Sequence, residues 1–118
     1  MKSIGMILGL VTAFVLFAQV VSSFFRKRIG GAFRKLHLGL GIVLTLLFCA
    51  HGTLLFLTFG PPRSLWHLCG TAAATVALLA LISGFARKRI GEKFLSLHRV
   101  LGIAALVLAI LHRMLAFI

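Results

Sequence analysis

Four histidines at one repeated spacing are the residues best placed to do chemistry in this chain. Thirteen residues lie between His37 and His51, and thirteen between His98 and His112. On an α-helix a step of fourteen returns the chain to nearly the same face, and at about 1.5 Å per residue it separates the two positions by roughly 21 Å. Two histidines on one helix therefore point the same way but cannot share a metal ion, so ligand pairs must form between helices. Zinc calls for three or four protein ligands, whereas a haem iron takes two axial imidazoles. Two histidines at each of two depths thus suit two haems. There is no C-x-x-C-H stretch, so these would be b-type haems held without thioether links. Cys49 and Cys69 fall in apolar stretches and read as small buried hydrophobes.

The elements that must hold these histidines are set by composition. Of 118 residues, 61% are hydrophobic and only 12% charged, more apolar than a soluble domain. Spanning a bilayer as a helix takes about 20 predominantly apolar residues. Four stretches qualify, at about 3–25, 36–59, 64–86 and 94–118. The first is longer than the apolar core of a signal peptide, and no small-x-small cleavage site precedes the charges that follow it. We therefore expect an all-α integral membrane four-helix bundle in a single transmembrane domain, 1–118.

The chain is also one helical hairpin written twice. A shift of 61 residues lays Arg26-Lys27-Arg28-Ile29-Gly30 onto Arg87-Lys88-Arg89-Ile90-Gly91. Without a gap, His37 then meets His98, Gly41 meets Gly102, and His51 meets His112. Backwards, Phe24 meets Phe85, Ser22 meets Ser83, and Gly9 meets Gly70. About a third of the aligned positions are identical, the signature of a tandem duplication. The repeats are 1–57 and 62–118, joined by a turn at Gly60-Pro61-Pro62. Each repeat crosses the membrane twice, so the second and fourth spans run parallel. His37 and His98 then share one depth, and His51 and His112 another.

Thirteen basic residues face a single acid, Glu92. In a soluble protein that balance would suggest nucleic acid; here the charges sit between spans and argue for lipid instead. Arg26, Lys27, Arg28, Arg34 and Lys35 join the first two spans, and Arg87, Lys88, Arg89, Lys93 and Arg99 join the last two. Lys2, Arg63 and Arg113 lie on the other side. The positive-inside rule makes the two basic junctions cytoplasmic and puts both termini outside, most naturally in a cell (inner) membrane. The His37/His98 level is then the inner one and the His51/His112 level the outer one.

A disc between two helices needs space and neutralising charge. Gly41 and Gly102 follow the inner histidines by four residues on the same face. Farther along that stripe the fourth span offers Ala105 and Ala109, and the second offers Leu44 and Phe48. Arg99, Arg113, Arg34 and Lys35 lie beside the histidines, where cations can pair with haem propionates or simply snorkel to the interface. His67 has Met6 as its repeat partner and adjoins Trp66 at the outer end of the third span, so it reads as an interfacial histidine.

The paired H-x13-H helices resemble the haem-binding helices of respiratory cytochrome b and of the ferric reductase and NADPH oxidase transmembrane domain. That resemblance implies that His37 and His98 hold one haem, that His51 and His112 hold the other, and that Gly41 and Gly102 make way for them. It implies transmembrane electron transfer, possible membership of an oxidoreductase, and a quinone or redox protein as donor or acceptor. Both families have more helices, and the reductases add nucleotide-binding domains that this chain lacks. The rival reading is a small four-helix membrane transporter, or a proton or metal carrier without haem. Such exporters rely on an intramembrane carboxylate, and Glu92 lies outside the spans. No nucleophile, base and orienter set stands out, so no catalytic residue is assigned.

Overall fold

The structure, a computed structural model, describes residues 2–61 and 63–116, with the side chain of Lys2 excluded. Among these residues the chain is all-α. Four long helices are α1 (Lys2–Phe24), α3 (Phe33–Phe59), α4 (Leu65–Phe85) and α6 (Phe94–Leu115). All four are long and apolar enough to cross a membrane. Large apolar side chains such as Phe14, Phe24, Leu57 and Phe85 are exposed, while the residues buried between helices are few and mostly small. That inverts a soluble protein's distribution and suits a chain solvated by lipid. The expected spans and the observed helices agree to within a few residues. The expected end of the fourth span at residues 117 and 118, and Pro62 of the expected turn, lie outside the described residues.

The largest difference is at the basic junctions, which are themselves helical. Short turns α2 (Arg26–Ile29) and α5 (Arg87–Ile90) follow α1 and α4, and each continues into a 3-10 turn, Gly30–Ala32 and Gly91–Lys93. The direction of the chain changes at one glycine in each. Gly30 has φ +67° and ψ −140°, and Gly91 has φ +69° and ψ −139°, a backbone region essentially restricted to glycine. Identical geometry at repeat-equivalent positions is why the Ile-Gly pair recurs. Phe33 and Phe94 then open the next helices, so α3 starts three residues before the apolar run that marks its span.

The chain divides into two compact units, Met1–Pro61 and Pro62–Ile118; the second has the bounds of the second repeat, and the first takes in the first repeat together with residues 58–61. In the first unit α1 packs on α3; in the second α4 packs on α6. The buried positions are partly shared. Thr12 and its repeat equivalent Ala73 are both buried, as are Leu44 and Ala105. Each hairpin is thus built on the same frame, with different side chains filling it.

Candidate haem-ligand histidines

All four histidines sit on the long helices that follow the basic turns, His37 and His51 on α3 and His98 and His112 on α6. None is exposed. His37 and His98 each lie one turn beyond a phenylalanine that opens its helix. The Phe33 and His37 rings stack with centroids 5.0 Å apart, and Phe94 and His98 are 5.3 Å apart. This i, i+4 pairing restrains the imidazole from its own helix.

The second hairpin adds restraint from the neighbouring helix. His98 Nδ1 lies 2.9 Å from the Ala80 carbonyl of α4 and 3.0 Å from Ser83 Oγ. Ser83 donates its own hydroxyl to the same carbonyl at 2.7 Å. Toward the other end of α6, His112 Nδ1 lies 2.6 Å from the Trp66 carbonyl. A carbonyl can only accept, so in both cases Nδ1 carries the proton and donates it. Donation from Nδ1 to a carbonyl is the arrangement usual for a histidine that binds metal through Nε2.

The first hairpin uses the same positions differently. Ser22, equivalent to Ser83, donates to the Gln19 carbonyl at 2.8 Å, as Ser83 does to Ala80. Gln19 replaces Ala80 and sends its side-chain amide to the backbone carbonyl of His37 at 2.9 Å. His51 packs against α1 at Gly9, where a Cβ would come within 2.8 Å of the ring. At its equivalent, Gly70, a Cβ would also come within 2.8 Å of a histidine ring, there nearest Nδ1 of His112 where at Gly9 it is nearest Cε1 of His51.

The other expected site residues are placed as follows. Gly41 and Ala105 are buried, Ala109 and Phe48 are half-buried, and Arg34, Lys35, Arg99 and Arg113 are exposed. A Cβ on Gly102 would meet no atom within 4 Å, leaving room beside α6 one turn from His98. Cys49 and Cys69 are free thiols, but neither is buried as expected: Cys49 is exposed on the apolar surface of α3 and Cys69 is half-buried. His67 stacks on Trp66 at 3.5 Å and hydrogen-bonds Ser64 at 2.8 Å. The Trp66 ring in turn lies 5.6 Å from that of His112, so His67 is joined to the outer histidine through one indole. Among the described residues no group of three or more histidine, cysteine or acidic side chains could hold a metal ion.

Compared with known proteins, the chain matches no family model, no curated protein and no solved structure. An imidazole whose Nδ1–H is committed to a carbonyl, with open space at a glycine one turn on, fits an axial ligand of haem. Gly9, Gly70, Ser83 and the carbonyls of Ala80 and Trp66 are not recognisable as site elements in the sequence. Gly9/Gly70 and Ser22/Ser83 do stand out as repeat identities, but only the packing assigns Gly9, Gly70 and Ser83 to the imidazoles.

Proposed function

We propose that this membrane protein moves electrons across a bilayer by means of two b-type haems. Each would be held by one histidine from each repeat, His37 with His98 and His51 with His112. The observation that carries the reading is the pair of Nδ1–H to carbonyl bonds at His98 and His112, which ready Nε2 of both rings as a ligand at two depths. The duplication puts His37 and His51 at the repeat-equivalent positions of the first hairpin. Bound haem would supply reversible one-electron exchange at iron. The protein's part is to fix the imidazoles, to exclude water from them, and to offer exposed cations for propionates at Arg34, Lys35, Arg99 and Arg113. A pyridine haemochrome assay on purified protein should return about two b-type haems per chain, with the spectrum of a low-spin species. Colourless protein would exclude this function.

The charge asymmetry supports one orientation for this transfer. Ten basic residues at the two junctions, against three elsewhere, favour a cytoplasmic side for these segments by the positive-inside rule. A cytoplasmic donor would then approach the His37/His98 level, and an outer acceptor or membrane quinone the His51/His112 level. Accessibility labelling of single cysteines in sealed vesicles tests this. Probes in the 26–30 and 87–91 turns should react only from the cytoplasmic face; reaction from the other face would reverse the assignment.

A further inference from the structure

In an α-helix each carbonyl bonds the N–H four residues on but keeps a second lone pair, and the side chain at i+4 lies beside it. This chain shows that side chain as the usual occupant. Thr12, Thr45, Thr58, Thr71 and Thr75 each donate to the carbonyl four residues back, at 2.7–3.0 Å. At Trp66 the residue four on is Gly70, and the donor is His112 from the other helix of the hairpin. A Cβ at Gly70 would stand 2.8 Å from His112 Nδ1 and 2.9 Å from its Cε1. The missing side chain is therefore what admits the ring to the carbonyl. Gly9 holds the equivalent place in the first hairpin, where a Cβ would stand 2.8 Å from His51 Cε1 and 3.2 Å from Nε2.

The inner level differs. Ala80 has Gly84 four residues on, but a Cβ there would lie 3.8 Å from His98 Cε1, an ordinary contact. The repeat equivalent of Gly84 is Ser23. Glycine is thus required by close approach at the outer level only.

We propose that Gly9 and Gly70 are positioning residues of the His51/His112 site: each is a notch that seats an outer imidazole against the preceding helix and sets the direction of its ring. The inference rests on the haem reading for its functional consequence, but its physical content concerns the rings alone. In both notches the nearest atoms belong to a side-chain end that can swing away, so alanine should displace the ring and leave the helices in place.

The test compares Gly70→Ala and Gly9→Ala with Gly84→Ala, and with Gly39→Ala, where a Cβ meets nothing within 4 Å. Two readouts separate this inference from the haem reading. In purified full-length protein stripped of haem, ¹⁵N-histidine spectra report the ring tautomer and its hydrogen bond. Gly70→Ala should shift the His112 signal and Gly9→Ala the His51 signal, while Gly84→Ala and Gly39→Ala move neither. In the haem-loaded protein, both notch variants should weaken retention at the outer site roughly 10- to 100-fold, as loss of an orienting contact does, and keep the inner midpoint. If the parent binds no haem, the proposed function falls while the ring spectra still decide the notch. Unchanged ring signals and an unchanged outer site in both notch variants would overturn the inference. So would loss of the helical fold, because the notch would then be a packing requirement.

Discussion

The two hairpins share a backbone frame and differ in how they hold equivalent histidines. In the second, α4 presents Ala73, Ala77 and Ala80 where α1 presents Thr12, Leu16 and Gln19. Smaller residues let α4 and α6 pack along each other more extensively than α1 and α3. Close approach brings the backbone of α4 within reach of α6, so its carbonyls take the imidazole protons of His98 and His112 directly. In the first, Gln19 spans to the backbone of His37 instead. Duplication has preserved the histidine positions, the glycine turns at Gly30 and Gly91, and the close approach of Gly9 and Gly70 to a histidine ring, while the packing between them has diverged.

The largest effect should come from removing the histidines, and it asks whether the hairpins act as equals. If each haem draws one ligand from each repeat, His37→Ala and His98→Ala should abolish the same haem, and His51→Ala and His112→Ala the other. Each variant should fall from about two haems per chain to about one. Redox titration identifies which midpoint is lost. Loss of one and the same midpoint from His37→Ala and His51→Ala would show ligation within a hairpin and break the symmetry between repeats. His67→Ala should leave both midpoints near the parent, since His67 has no histidine counterpart in the first repeat, where Met6 stands, and its ring stacks on Trp66.

Much of this architecture is legible in the sequence, for reasons that also mark where legibility stops. Apolar length shows the four spans, and an exact pentapeptide recurrence shows the duplication. Helix starts are less visible. Arg34 and Lys35 interrupt the apolar run, yet the helix around them begins at Phe33, because the backbone geometry at Gly30 and not hydropathy decides where α3 begins. The four histidines announce themselves by type and spacing. Their partners in the second hairpin are backbone carbonyls, and a carbonyl has no residue signature. Trp66 and Ala80 enter the site through atoms that every residue possesses, and Gly70 enters it through an atom it lacks. Only the packing of α4 against α6 picks them out.

The smallest effects sharpen the comparison at the inner level. Ser83→Ala removes one of two oxygens beside His98 Nδ1, and the Ala80 carbonyl remains at 2.9 Å to accept the proton. A ligand ring that loses part of its hydrogen bonding donates less to iron, which favours the reduced state. The inner midpoint should therefore rise by a few tens of millivolts, about what 0.5–1 kcal/mol means for a one-electron couple, with the outer midpoint unmoved. Gln19→Leu, at the position equivalent to Ala80, should act on stability and not on potential. The Gln19 amide bonds a backbone carbonyl at 2.9 Å, a bond worth about 0.5–1.5 kcal/mol net. Its Oε1 is buried with no donor among the described residues, a burden of similar size that leucine would relieve. The two contributions oppose each other, so thermal unfolding in detergent should report a change within about 1 kcal/mol. A midpoint shift in Gln19→Leu as large as that in Ser83→Ala would mean that the first hairpin also governs its imidazole through this position. The divergence between the hairpins would then lie in side-chain identity alone.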